Sequence, residues 1–146
     1  MSAKASVNVK VIHRFNAEPG KVFDAWLDTA MISQFMFGPK LRDEQIIRIS
    51  LEPRVGGIFS FVVRRQGEEI NHVGEYLEIE RPERLAFTWG TDDVADRSRV
   101  IIDIERLPSG CQLTLKHELD ANWADYAPRV EASWSKMLDA LATELK

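Results

Sequence analysis

The chain has 146 residues, of which 45% are hydrophobic and 29% are charged, and its formal net charge is -4. This balance is typical of one soluble domain, spanning 1–146, that builds its core without disulfide bonds or metal. The negative charge and the absence of a Lys/Arg cluster argue against a nucleic-acid partner, and no apolar run approaches the ~18 residues of a membrane span. The single cysteine, Cys111, and a start without an apolar signal core lead us to expect a cytoplasmic protein.

The first predicted elements are one strand and two short helices. Strict alternation from Val7 to Phe15 predicts a strand with its valines turned inward. Pro19 suits the first turn of a helix, and a second short helix is expected from about Ala30 to Phe35, before a stop at Gly38-Pro39. Both helices are too short to be stable alone, so tertiary packing has to hold them.

Further strands are predicted at short intervals along the middle of the chain. Turn residues such as Gly56-Gly57 and Pro108-Ser109-Gly110 separate them, which indicates an antiparallel meander. The expected ranges are Gln45 to Ser50, Ile58 to Val63, Ile70 to Ile79, Leu85 to Trp89, Val100 to Ile104 and Cys111 to Leu119.

The last predicted element is a helix of about five turns. Asp125 is expected to cap it, and Pro128 is tolerated in its first turn. Helices gathered on one face of an antiparallel sheet make the fold class α+β. The apolar face of this helix consists of Val130, Trp134, Met137, Leu138, Leu141 and Leu145.

Seven segments, in this order, carry a resemblance over nearly the whole chain. They are Ala17-x-Pro19-x-x-Val22-Phe23-x-Ala25-Trp26, Phe37-Gly38-Pro39, Arg54-Val55-Gly56-Gly57-x-Phe59, Gly74-x-Tyr76-Leu77-Glu78-Ile79, Pro82-Glu83-Arg84-Leu85-x-Phe87-Thr88-Trp89, Leu113-Thr114-Leu115-x-His117 and Trp134-x-x-x-Leu138. The ordered set resembles the START-like, or SRPBCC, superfamily. Within it, the chain is similar to the family named for the C-terminal domain of the activator of the ninety-kilodalton heat-shock chaperone's ATPase.

The resemblance implies a helix-grip fold, in which a curved antiparallel sheet of about six to seven strands surrounds a long C-terminal helix. It also implies a ligand pocket where the inner face of the sheet is not filled, at one end of that helix. It is less specific for function, because this fold hosts unrelated activities.

Inward-facing apolar side chains are the candidates for lining such a pocket, and filling the core is the alternative role for each of them. The stretch from Lys21 to Pro39 is rich in Phe, Trp and Met, so it packs on the sheet, on a ligand or on another protein. Exposure of Met31, Met36 or Phe37 would favour a homodimer patch. The ligand-binding candidates are Trp26, Phe35, Met36, Phe59, Phe61, Phe87, Trp89, Val100, Ile102, Leu113, Leu115, Tyr126, Val130 and Trp134.

Three polar residues are candidates for the pocket wall or mouth. His117 shares the alternation of its apolar strand, and Arg99 is a candidate for the mouth. Glu75 would point inward in a regular strand, but a bulge beside Gly74 would turn it outward, and an exposed position is favoured. The histidines and Cys111 show no metal-ligand spacing, and no phosphate loop, nucleophile elbow or dinucleotide fingerprint appears. We therefore expect no metal, no cofactor and no catalytic residue that the sequence identifies.

Three functions follow as hypotheses. The favoured one is non-enzymatic binding of a small apolar or amphipathic ligand between the sheet and the C-terminal helix. The second, activation of the heat-shock chaperone's ATPase as a protein partner, rests on the family's name. It is less expected because this sequence shows no additional N-terminal chaperone-binding domain of the kind that the two-domain co-chaperones carry. The third is a cyclase or hydrolase for a bulky apolar substrate, with Glu75 or His117 as acid or base.

Overall fold

A computed structural model describes residues 7–39, 41–93 and 97–145, except for the side chains of residues 121 and 122. In chain order the elements are strand β1 (Val7–Phe15), helices α1 (Pro19–Ala25) and α2 (Thr29–Phe35), strands β2 (Gln45–Leu51), β3 (Ile58–Arg65), β4 (Glu68–Glu80), β5 (Arg84–Thr91), β6 (Ser98–Arg106) and β7 (Cys111–Leu119), a 3₁₀ helix (Ala121–Tyr126) and helix α3 (Ala127–Glu144).

The strands form one seven-stranded sheet in the order β1-β7-β6-β5-β4-β3-β2. Every neighbouring pair is antiparallel, and β1 pairs with β7 from Val7 opposite Leu119 to Phe15 opposite Cys111. The meander therefore runs from β2 to β7, and the first strand joins beside the last. This is the α+β architecture of a curved antiparallel sheet with a long C-terminal helix and two short helices, as predicted.

Helix α3 buries the predicted apolar face against β1 and α2. Trp134, Met137, Leu138 and Leu141 are buried, and burying each such side chain contributes roughly 1.5–3 kcal/mol relative to leaving it exposed. The prediction that Asp125 caps this helix is wrong. The N-cap residue is Tyr126, without a side-chain cap bond, because the 3₁₀ helix leads directly into α3 and the chain is already helical there.

The apolar stretch from Lys21 to Pro39 packs inside the protein. Met36 and Phe37 are only 2% and 1% exposed, and Met31 is half-buried. The Phe37 ring lies 4.8 Å from the His72 ring and 5.8 Å from the Phe61 ring, between centroids. Met36 and Phe37 therefore do not offer the exposed patch that a homodimer contact through them would need, because the chain leaving α2 turns inward onto the sheet.

The Gly56-Gly57 turn is a matter of backbone shape. Gly56 has a φ of +83°, and a Cβ atom on Gly57 would lie 2.3 Å from the backbone oxygen of Glu52. No larger residue fits at Gly57 without moving the backbone. The turn thereby delivers the chain into β3 with Phe59 on the buried face.

Candidate functional site

An open cavity of about 510 Å³ lies where the ends of β5, β6 and β7 meet the 3₁₀ helix and the first turn of α3. We call it the main groove. Its volume lies within the range of roughly 300–1,000 Å³ that is typical of small-molecule sites. The side chains that shape it include Trp89, Ser98, His117, Trp123, Tyr126 and Val130.

Two exposed aromatic side chains stand at this groove. Trp123 is 41% exposed and Tyr126 is 46% exposed, and their ring centroids are 5.3 Å apart. Trp89 also lines the groove; it is half-buried and its ring lies 5.5 Å from that of Trp134. Aromatic side chains offer large apolar contact areas, so this wall can hold an apolar ligand.

His117 is buried in the wall of the groove and belongs to a chain of hydrogen bonds. The indole Nε1–H of Trp134 donates to Nδ1 of His117 at 3.0 Å, so the ring proton is on Nε2. The Nε2–H donates to the Ser98 hydroxyl oxygen at 2.6 Å, and the hydroxyl in turn donates to the Trp89 carbonyl oxygen at 3.1 Å. Burial lowers the pKa of His117 to about 4, so the ring is neutral at pH 7.

A second cavity of about 190 Å³ adjoins the first and shares Trp89, His117 and Val130 with it. We call it the second groove. Its other lining side chains include Phe37, Arg42, Arg65, His72, Ser133 and Trp134. Arg42, Arg65 and His72 are site residues that sequence patterns did not identify, since charge and alternation alone did not distinguish them from exposed residues.

His72 lines the second groove, and its ring contacts two aromatic rings. Its ring lies 4.8 Å from that of Phe37 and 5.5 Å from that of Trp89. Nδ1 donates to the Phe61 carbonyl oxygen at 3.2 Å, which leaves Nε2 as an acceptor. Burial, with a smaller contribution from the positive charge of Arg65, lowers the pKa of His72 to about 4. It is therefore a second neutral imidazole at the site.

The structure brings some of the predicted site residues together at these grooves. Trp89, Tyr126 and Val130 line the main groove with His117 and Arg99, and Trp134 lines the second groove. Arg99 is exposed, and its guanidinium Nε and Nη2 atoms lie 2.8 and 3.0 Å from the Glu118 carboxylate oxygens. That ion pair forms part of the rim.

The other apolar candidates lie away from this open space. Alternation identified the inward face correctly, but side chains from α1, α2 and the sheet fill the middle of the grip. Trp26, Met36, Phe59, Phe61 and Phe87 surround a space of only about 10 Å³, together with Tyr76 and Trp89. The remaining apolar candidates are fully buried in the core, and they are Phe35, Val100, Ile102, Leu113 and Leu115.

Glu75 lies outside both grooves, in agreement with the favoured expectation of an exposed position. Its side chain is exposed, and its backbone N–H donates to the Thr88 hydroxyl oxygen at 2.9 Å. The neighbouring Tyr76 takes the buried position, and the register of β4 against β5 shifts between Tyr76 and Glu78. The structure therefore does not bring Glu75 and His117 to one cavity.

The described ranges contain neither a cluster of metal-ligating side chains nor a membrane-spanning helix. Within them, no group of three or more His, Cys, Asp or Glu side chains could hold a metal ion. No helix in the same ranges is long and apolar enough to cross a membrane.

Solved structures share this fold across almost the whole chain. The protein CV1439 from Chromobacterium violaceum has a TM-score of 0.78 and 20% identity, over 94% of this chain and 96% of that one. A Rhodobacter sphaeroides protein has a TM-score of 0.82 and 18% identity, over 99% and 95% of the two chains. CalU16 from Micromonospora echinospora has a TM-score of 0.73 and 22% identity, over 97% of this chain and 77% of that one. At these identities the likeness shows the fold alone.

A family model supplies the closer assignment, while no curated protein matches the chain. The model is described as Activator of Hsp90 ATPase homolog 1-like protein, and it matches residues 16–146. That range includes both grooves and every element except β1. The chain belongs to the family of Activator of Hsp90 ATPase homolog 1-like proteins.

Proposed function

We propose that this protein binds a small apolar or amphipathic molecule in the main groove, without transforming it. The observation that carries the proposal is the exposed pair Trp123 and Tyr126 beside an open cavity of about 510 Å³. Exposing two large aromatic side chains side by side costs favourable burial, and this arrangement is typical of surfaces that receive a ligand.

Binding is favoured over catalysis because the two candidate acid–base groups, Glu75 and His117, do not meet in this groove. Acid–base chemistry needs titratable groups within hydrogen-bond reach of one substrate. Both ring nitrogens of His117 are engaged, one by Trp134 and one by Ser98, and Glu75 is exposed outside the groove. His117 therefore serves better as a fixed wall than as a proton carrier.

A direct experiment is native mass spectrometry of the protein as purified, followed by calorimetric titration with decanamide as an uncharged amphipathic probe. We expect a retained small molecule in the first measurement, or saturable binding in the second. Replacing Trp123 and Tyr126 together by Ala should weaken decanamide binding about tenfold, since the contact area of both rings is lost.

The matched control is Val55→Ala, which shortens another exposed apolar side chain, 62% exposed, in the turn before β3. It should leave decanamide binding unchanged. Absence of binding, or equal affinities of the wild type and the double variant, would contradict the proposal. A bare protein that binds nothing would direct attention to the chaperone-partner hypothesis.

A further inference from the structure

The second groove contains two arginine side chains in a partly buried setting. Arg42 comes from the segment before β2 and Arg65 is the last residue of β3, and their side chains are 23% and 33% exposed. Both line the groove together with His72 and the half-buried Ser133. Partly desolvated guanidinium groups need partners, so their contacts decide what this groove can accept.

A fully buried carboxylate, that of Glu44, holds both guanidinium groups in place. Nε and Nη2 of Arg65 donate to Glu44 Oε1 at 3.0 and 2.6 Å. Nη1 of Arg42 donates to Glu44 Oε2 at 3.2 Å, and the backbone N–H of Gly38 donates to the same oxygen at 2.8 Å. Each carboxylate oxygen therefore accepts two hydrogen bonds, and the arginine positions are set before any ligand arrives.

The charges of this cluster do not cancel. Two guanidinium groups and one carboxylate leave one positive charge, and Lys136 of α3 adds another where it donates to the Leu41 carbonyl oxygen. His72 is neutral and contributes no charge at pH 7. Arg42 also donates to the Met36 carbonyl oxygen at 3.1 Å. Each guanidinium group carries five N–H donors. These contacts, which involve the described residues only, therefore do not use all the donors of either arginine.

We propose that the second groove binds the carboxylate of a small amphipathic acid whose apolar body lies in the main groove. This inference rests on the proposed function and names its ligand class. The two grooves share Trp89, His117 and Val130, so one molecule can contact both. A carboxylate matches the planar fork of a guanidinium group and is recognised through two parallel hydrogen bonds.

The test compares decanoate with decanamide, which have the same chain length and differ in charge at neutral pH. We expect the wild type to bind decanoate about tenfold more tightly, since charge-assisted hydrogen bonds are roughly twice as strong as neutral ones. The protein as a whole carries a net charge of -4, which opposes binding of an anion. A preference for decanoate therefore requires a local positive site, and because Arg97 and Arg99 line the main groove, an Arg65 variant is needed to assign that site to the second groove.

Arg65→Gln should remove the preference by weakening decanoate binding while leaving decanamide binding unchanged. The matched control is Arg64→Gln, which removes the same charge from the adjacent exposed residue, whose guanidinium group pairs with Glu69 at 3.0 Å. Glu44→Gln should also weaken decanoate binding relative to decanamide binding, because it removes the carboxylate that positions both guanidinium groups. Circular dichroism and thermal unfolding establish that each variant is folded.

Equal affinities of the wild type for the two probes would overturn the carboxylate site and leave the proposed function standing. Equal losses of decanoate affinity in Arg65→Gln and Arg64→Gln would do the same. If neither probe binds, both the proposed function and this inference are overturned.

Discussion

At the residue scale, two buried tryptophans differ in what their indole N–H groups meet. Trp134 donates to His117 at 3.0 Å, and this bond sets the tautomer of the imidazole in the groove wall. Trp26 is equally buried, but its Nε1–H has no partner among the described residues. A buried donor without a partner costs roughly 1–3 kcal/mol of desolvation free energy. The hydrogen bond to His117 offsets this cost for Trp134.

This difference predicts unequal effects of the same substitution. Trp134→Phe should lower the free energy of unfolding by about 1–3 kcal/mol more than Trp26→Phe, because it also leaves His117 Nδ1 without its donor. Both changes remove similar volume from side chains that are 3% exposed. Urea unfolding monitored by circular dichroism measures both values, and equal losses would show that the bond to His117 contributes little.

The two neutral histidines predict a specific pH dependence. His72 and His117 have folded-state pKa values of about 4, against an ordinary value of 6.5, so the unfolded chain binds more protons between these pH values. The contribution of the two histidines to the free energy of unfolding should therefore be fully present above pH 6.5. It should fall as the pH drops towards 4, by up to about 1.4 kcal/mol per pH unit for each histidine.

The acidic side chains with a lowered pKa affect the free energy of unfolding in a different pH range. The hydrogen bond from Arg81 lowers the pKa of Asp24, and the hydrogen bond from Arg99 lowers that of Glu118, from ordinary values of 3.8 and 4.5. Their contributions are lost only at lower pH. Free energies of unfolding at pH 7.5 and 5.5, with NMR titration of the ring resonances, check the prediction. Midpoints near 6.5 for His72 and His117 would contradict it.

At the element scale, the short helix α2 matters because it leads the chain into the second groove. Asp28 caps it, with Oδ1 accepting from the backbone N–H groups of Ala30 at 2.9 Å and Met31 at 3.3 Å. Ile32 and Phe35 anchor it in the core. The cap supplies what a seven-residue helix lacks on its own, which is partners for its first N–H groups.

Asp28→Ala should therefore lower the free energy of unfolding by about 1 kcal/mol, since both cap bonds are lost. Asp28→Ser, which keeps a side-chain oxygen acceptor, should retain most of the stability. Chemical unfolding of the two variants under the same conditions measures the difference. If the two variants lose equal stability, the cap bonds are not the source of the effect.

At the scale of the whole molecule, one packing arrangement fills the space in the middle of the curved sheet and leaves the space at its end open. Aromatic rings from β3 and β5 meet side chains of α1 and α2 in the middle, for example Phe59, Phe87 and Trp26. At the end, where β7 passes into the 3₁₀ helix, Trp123 and Tyr126 stay outside the core. The molecule is acidic overall, yet the cluster of Arg42, Arg65 and Glu44 beside the main groove carries one net positive charge.

Most of the fold could be predicted from local patterns. Alternation in β1, β6 and β7, the short turns between strands and the apolar face of α3 each act over a few residues, and they agree with one another. Pro19 at the start of α1 and the inward position of His117 were likewise readable, because strand and helix periodicity decide which way a side chain points. The segment order was also sufficient to recognise the family that the model match shows.

The sequence by itself determined which side chains face inward, and the tertiary structure alone decided which of these meet open space. Periodicity describes a face but not the shape of what packs on it, so Leu113 and Trp89 were equivalent candidates until the packing separated core from groove. The arginine cluster could not be predicted from local patterns, because Glu44 and Arg65 are 21 residues apart and meet only when β2 pairs with β3. Contacts between distant segments depend on the whole set of packed side chains, and that set exists only in the folded chain.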